Sequence, residues 1–252
     1  MKVQTIAVLV TLAVCLCGCN LLANDCSFTA PREASVDAKG AAVIRIVAGA
    51  GFLRVDGRAG LDEVRVSGTA CSSLGGLLEK IELTARREGE DVLIETHFPD
   101  GMGQMKLDLE IELPDGVALD VEDSSGSLEI RNVASVELKD GSGKIVIEGL
   151  SGDLRLHDSS GGIDVTGIEG DVWVRDSSGG IDIQKVKGSV IVDLDSSGGI
   201  DVSDVEGNVL VRQDSSGGIS VRHVKGDFTV ENDSTGGIHH SDVGGQVKVP
   251  KG

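Results

Sequence analysis

From Ala41 to Leu113 apolar and polar residues alternate in short runs: VIRIVAGAGFLRVDG, EVRVSG, KIELTARREGEDVLIETHF and KLDLEIELP, each broken by Gly, Asp or Pro. Alternation with period two between turn residues predicts strands that bury one face. No run has the 3.6-residue spacing of an amphipathic helix, and CSSLGGLLEKIE, Cys71 to Glu82, holds one helical turn at most. After Pro114-Asp115-Gly116 a longer period takes over. A turn Asp recurs at 123, 140, 158, 176, 195, 214 and 233, at intervals of 17, 18, 18, 19, 19 and 19 residues. DSSGGI stands unchanged at Asp158, Asp176, Asp195 and Asp214, and returns as DSTGGI at Asp233.

Alignment on that Asp predicts the inward set. Ile163, Val165, Ile168, Val172 and Val174 belong to one unit, and Ile181, Ile183, Val186, Val190 and Val192 to the next. Ile200, Val202, Val205, Val209 and Val211 follow, then Ile219, Val221, Val224, Phe228 and Val230. Five apolar positions cannot close a core within one unit, but they can when units stack. The fold class is therefore all-β: a single-stranded parallel β-helix, or β-solenoid, of 18 to 19 residues per coil, with coils about 4.8 Å apart. DSSGGI is its corner. Asp holds an Asx turn, the serines bond at the bend, and the paired glycines allow positive φ.

Stacking turns residues one period apart into neighbours. Glu169, Lys187, Glu206 and Lys225 then form one column of alternating sign, and Arg175, Asp193, Arg212 and Glu231 a second. Two columns differ. Asp164, Asp182 and Asp201 place like charges on consecutive coils, so they either fan into water or take up a cation, and calcium suits such oxygen ligands. Gly- and Asp-rich coils are similar to calcium-binding RTX repeats, although the nine-residue GGxGxDxUx rule of those repeats is not obeyed. Trp173, Ile191 and Leu210 form an outward apolar stripe, either a contact surface for a partner or a bed for the N-terminal region.

Composition narrows the function. The 252 residues include 36 Gly, four Phe, one Trp and no Tyr, so the core is built of small branched side chains in thin layers. A net charge of -18 excludes nucleic acid, and bare anionic membrane is disfavoured for the same reason. The five His, at 97, 157, 223, 239 and 240, form no recurrent constellation, and no Ser lies in GxSxG. Arg222 and His223 are the nearest bases for an acid cluster, and nothing singles them out, so no enzyme is expected. Lys248, Pro250 and Lys251 discourage a further strand at the C-terminal end.

Met1-Lys2 followed by the apolar IAVLVTLAVCL, Ile6 to Leu16, reads as an export signal. LCGC, Leu16 to Cys19, looks like a bacterial lipobox, which implies removal of residues 1–18 and a lipid on Cys19. Asn20 after that Cys favours the outer membrane over inner-membrane retention. Cys26 and Cys71 then remain as an even pair in an oxidising compartment, to be read as a disulfide or as two buried free thiols. The organisation expected is a signal over 1–18, a tether and first strand over 19–40, an N-terminal β region over 41–115 and regular coils over 116–252.

The VxGxGxxxVxG region, then ELPDGVALDVEDSSGSLEI, then the repeated SG-I-x-V and V-x-G-D-V-x-V rhythm, together resemble the DUF4097 family, related to GIN-type adhesin heads. The likeness spans residues 41 to 249. It implies a right-handed β-helix displayed outside the cytoplasm with no established enzymatic activity; an 18-residue period by itself also suits a left-handed helix of three hexapeptides. The expected function is a lipid-anchored cell-envelope solenoid with a structural or adhesive surface. The alternatives are a calcium-dependent polysaccharide-binding or cleaving β-helix, and an envelope scaffold or sensing partner that uses the stripe.

Overall fold

The computed structural model describes residues 26–250 of the chain. Strands make up 61% of it, in stacked parallel coils that form a β-solenoid of about 7 turns. The N-terminal part contributes β1 (Phe28–Asp37), β2 (Val43–Val47), β3 (Leu53–Arg58), β4 (Glu63–Ser72), the single helical turn α1 (Gly75–Leu78), β5 (Glu82–Glu88), β6 (Asp91–His97) and β7 (Met105–Pro114). Regular coils follow: β8 (Ala118–Asp123) with β9 (Leu128–Arg131), β10 (Val136–Asp140) with β11 (Ile145–Leu150), and β12 (Leu154–Asp158) with β13 (Ile163–Ile168). Next come β14 (Val172–Arg175) with β15 (Ile181–Val186), β16 (Val190–Leu194) with β17 (Ile200–Val205), and β18 (Val209–Asp214) with β19 (Ile219–Val224). The last are β20 (Phe228–Asp233) with β21 (Ile238–Val243), and the short β22 (Val247–Lys248).

The even-numbered coil strands together with β5 form one 11-stranded sheet, and the odd-numbered coil strands together with β1 and β4 form the other, face to face across a narrow core. Ile163, Ile181, Ile200 and Ile219 stand in register, as do Val172, Val190, Val209 and Phe228. Every member of the inward set is buried. One residue in each odd strand from β11 to β21 adopts the left-handed conformation: Gly149 and Gly167, then Lys185, Asp204, His223 and Asp242, at φ between 52° and 74°. That kink is why Val165 and Ile168, three apart, both reach the core, at a cost of about 1 kcal/mol per non-Gly residue.

The corner glycines are not equivalent, contrary to the expectation that both serve positive φ. Gly161, Gly179, Gly198, Gly217 and Gly236 have φ of 141° to 143°. A Cβ on any of them would collide with the carbonyl oxygen of the corresponding glycine one coil earlier. Their partners Gly162, Gly180, Gly199 and Gly218 face ordinary space.

The stack begins earlier than the regular period. β2 and β3 already form a coil on β8 and β9, pairing Ile44 with Leu119 and Val55 with Ile130. β6 and β7 stack on its far side, pairing Ile46 with Ile94 and Val55 with Ile111. The coils therefore lie in the order β6–β7, β2–β3, β8–β9, out of chain order. Antiparallel strands close that end, β5 against β6 and β4 then β1 against β7. At the other end His240 replaces the inward aliphatic residue and rests 6.0 Å from the Phe228 ring.

Candidate functional surfaces and a buried aspartate column

The turn aspartates end the even strands, or for Asp176 and Asp195 follow them by one residue, and align: Asp123 with Asp140, Asp140 with Asp158, Asp195 with Asp214, and Asp214 with Asp233. Each Asx turn expected from DSSGGI is present where its bond is formed. The Ser160, Ser178 and Ser197 N–H groups donate to Oδ1 of Asp158, Asp176 and Asp195 at 3.2, 3.2 and 3.1 Å. The burial is what sequence reading missed. Asp123, Asp140 and Asp158 are 7, 6 and 5% exposed, and Asp176, Asp195 and Asp214 0%. Oδ2 of Asp158, Asp176 and Asp195, and both oxygens of Asp123, Asp140 and Asp214, make no hydrogen bond of good geometry, although the N–H groups of Ser124, Gly141, Ser215 and Ser216 and the adjoining carboxyls lie close to the last three. Burial, joined by neighbouring carboxylates of the column for all but Asp123, pushes Asp123, Asp140, Asp158, Asp176 and Asp195 up to about 6. Asp214 is raised for the same reasons. The interval of the turn Asp was the available signal, since a side chain repeated at every coil must meet its own copies.

Asp164, Asp182 and Asp201 also stand in register, on the outward face of the odd sheet. Lys144 Nζ lies 2.7 Å from Asp164, the Gln184 amide donates to Asp182 at 2.8 Å, and Arg222 is 3.7 Å from Asp201. Asp164 and Asp201 thus face a cationic side chain of the protein, and Asp182 is hydrogen-bonded by a neutral amide. Among the described residues no group of three or more His, Cys, Asp or Glu converges as metal ligands. The alternating columns are ion-paired: Lys187 reaches Glu169 at 2.5 Å, Lys225 reaches Glu206 at 3.0 Å, and Arg175 and Arg212 both reach Asp193, at 3.5 and 2.7 Å.

Trp173, Ile191 and Leu210 align on the even sheet, with Arg155 before them and Thr229 after. The N-terminal strands extend the sheets end-on and leave the stripe half-buried rather than covered. Its partial cover comes from its neighbours. The Arg155 guanidinium lies 4.3 Å from the Trp173 ring centre, and the His157 ring 4.7 Å away on the adjoining column. Rungs so closely spaced let a long side chain lie over the next one. Burial, with Arg155, Arg175 and Lys139 nearby, holds His157 below its usual range.

Cys26 and Cys71 meet as a bonded pair with Cα atoms 5.6 Å apart. Close by, Phe28, Leu74 and Met102 are 47, 51 and 93% exposed. Phe28 borders Gly75, while Leu74 and Leu77 border Gly103, so these residues form one apolar tip. Cys19 and the export signal lie outside the described residues, as does Lys251.

Fold and faces together define a two-sheet β-solenoid with a carboxylate column sealed in one corner. It is similar in fold to solved bacterial proteins. They include a candidate lipid-binding protein from Parabacteroides distasonis (TM-score 0.48, 16% identity, 88% of this chain and 97% of that one covered). A candidate adhesin from Parabacteroides merdae gives a TM-score of 0.45 at 10% identity, over 89% and 97% of the two chains. A candidate cell adhesion protein from Clostridium sporogenes gives 0.30 at 13% identity, over 88% and 100%. At these values the likenesses assign neither ligand nor role to this chain. No family model and no curated protein matches it.

Proposed function

We propose that the protein is a non-enzymatic lipoprotein of the cell envelope, anchored through Cys19, whose solenoid presents an adhesive face. The observation that carries this reading is the registered group of Arg155, His157 and Trp173 continued by Ile191 and Leu210. A Trp flanked by Arg and followed by aliphatic side chains on a sheet face has the chemistry of a protein-contact hot spot. The apolar tip of Phe28, Leu74 and Met102 beside Cys26 supports an anchor-proximal N-terminal end. From Cys19 to Cys26 the chain spans at most about 25 Å, which keeps that tip near the bilayer that holds the lipid.

Capture of the full chain on isolated envelopes, together with sedimentation for self-association, tests the face. Trp173→Ala and Leu210→Asp are expected to weaken binding by about tenfold or more with the strand signal intact. Unchanged binding in both variants would remove this face from the function. The anchor is tested separately: Cys19→Ala is expected to move the chain from the membrane fraction to the soluble one.

A further inference from the structure

We propose that the aspartate column of the even-sheet corner is a proton-binding site, in which carboxyl groups of successive coils share protons along the solenoid axis. The inference stands apart from the anchoring and adhesion reading, and rests on the interior of the coil.

Six of its carboxyls are more than nine-tenths buried, and each of the six presents at least one oxygen with no hydrogen-bond partner. Asp233, half-buried at the last rung, leaves Oδ1 in the same state. A buried carboxylate without a compensating partner costs several kcal/mol and is neutralised instead. The surroundings supply no cation. The charged and titratable groups of the adjoining strands face outward and have partners there: Lys139 on Glu122 at 3.2 Å, Arg175 and Arg212 on Asp193, Lys144 on Asp164, and His157 against Trp173. Glu231, next on the even sheet, and Asp182 and Asp201 on the odd sheet are acids on those outer faces. Inside, the column meets its own members and the corner N–H groups: the serines satisfy one oxygen each on Asp158, Asp176 and Asp195, while the N–H groups of Ser124, Gly141, Ser215 and Ser216 lie near Asp123, Asp140 and Asp214 without well-aligned bonds.

A calcium ion does not meet its needs there. It takes six to eight oxygens, whereas rungs about one strand spacing apart offer two carboxyls at any level. A proton needs only two oxygens. One O–H donating to the unpartnered oxygen of the next rung removes a buried charge and supplies the absent bond at once. Neighbouring carboxyls that cannot all ionise then titrate as a set rather than singly. In the unfolded chain each Asp titrates near 3.9, so the folded column binds more protons than the unfolded one between about pH 4 and 6. Its contribution to stability is full below the unfolded value and is lost as pH rises through about 6. The solenoid is thereby hardened by acid.

The test is the melting midpoint of the purified full chain from pH 4.5 to 7.5, with chelator and with added calcium, against Asp176→Asn/Asp195→Asn. Asn keeps the Oδ1 acceptor for Ser178 and Ser197 but carries no charge. In the wild type the midpoint is expected to fall by at least about 5 °C across this range. The double variant should melt higher than the wild type at pH 7.5 and show a shallower slope. Equal slopes, or a variant less stable at pH 7.5, would overturn the proposal. So would a wild-type midpoint restored at pH 7.5 by calcium and not in the variant, which would make the column a metal site. Should the double variant not fold, Asp214→Asn replaces it. Infrared spectra of the wild type give a second reading: a protonated-carboxyl stretch that persists at pH 5 and is lost near 6 supports the column, and its absence at pH 5 rejects it.

Discussion

At Gly179 the corner permits no side chain, because φ is 142° and a Cβ would strike the carbonyl oxygen of Gly161. At Gly180 nothing comes closer than 4.0 Å. Gly179→Ala is therefore expected to cost about 4 kcal/mol or more, through backbone strain and a clash with main chain that cannot give way. Gly180→Ala should stay within about 1 kcal/mol, and chemical denaturation midpoints of the two variants separate the cases. In the sequence the two glycines are indistinguishable members of one motif. The structure tells them apart, by the φ of Gly179 and by the coil beneath, where the obstacle is contributed by residue 161. The same holds for the turn Asp, whose Asx role reads from its neighbours in the chain while its burial depends on the rungs above and below.

Between elements, register is carried by the inward aliphatics and guarded by the outer charges. Excising residues 177–195 removes one coil and rejoins Asp176 to a Ser-Ser-Gly-Gly corner. The aliphatic columns still match. Glu169, however, then faces Glu206 and Arg175 faces Arg212, so both ladders meet like charge. Excising 177–214 removes two coils and brings Glu169 to Lys225 and Arg175 to Glu231, restoring the alternation. The one-coil deletion is expected to gain more stability from added salt than the wild type does, because screening relieves repulsion between exposed charges. The two-coil deletion should respond as the wild type does. Melting curves in dilute and concentrated salt decide this, and identical salt responses in all three chains would show that the ladders do not guard register.

For the whole molecule, a long stack of parallel strands must have its ends closed. At the N-terminal end the chain reverses into antiparallel β5 on one sheet and β4 and β1 on the other. The Cys26–Cys71 pair ties the start of this cap to β4 across 45 residues of chain. A disulfide closing a loop of that length is expected to contribute about 4 kcal/mol by limiting the unfolded chain. Non-reducing peptide mapping should recover the two cysteines on one linked peptide, and Cys71→Ser should lower the melting midpoint. Two free thiols with an unchanged midpoint would place the cap's stability in its strands alone. At the other end of the described residues lie the two-residue β22 and the inward His240.

The repeat by itself determined the coil, its inward set, its corner and its charge ladders, because each follows from residues at fixed spacing and every coil repeats the same demand on its neighbours. The tertiary structure decided what depends on the identity of the neighbour. It set the order of the N-terminal coils, where β6–β7 lies outside β2–β3 although it follows in the chain, since irregular spacing leaves no register to read. It also settled which surfaces are free. Trp173 is outward by alternation, yet Arg155 and His157 lie against it, while Asp176 looks like a solvated turn and is sealed. Alternation assigns a side chain to a face, and only the packing of long side chains and adjacent coils determines how much water reaches it.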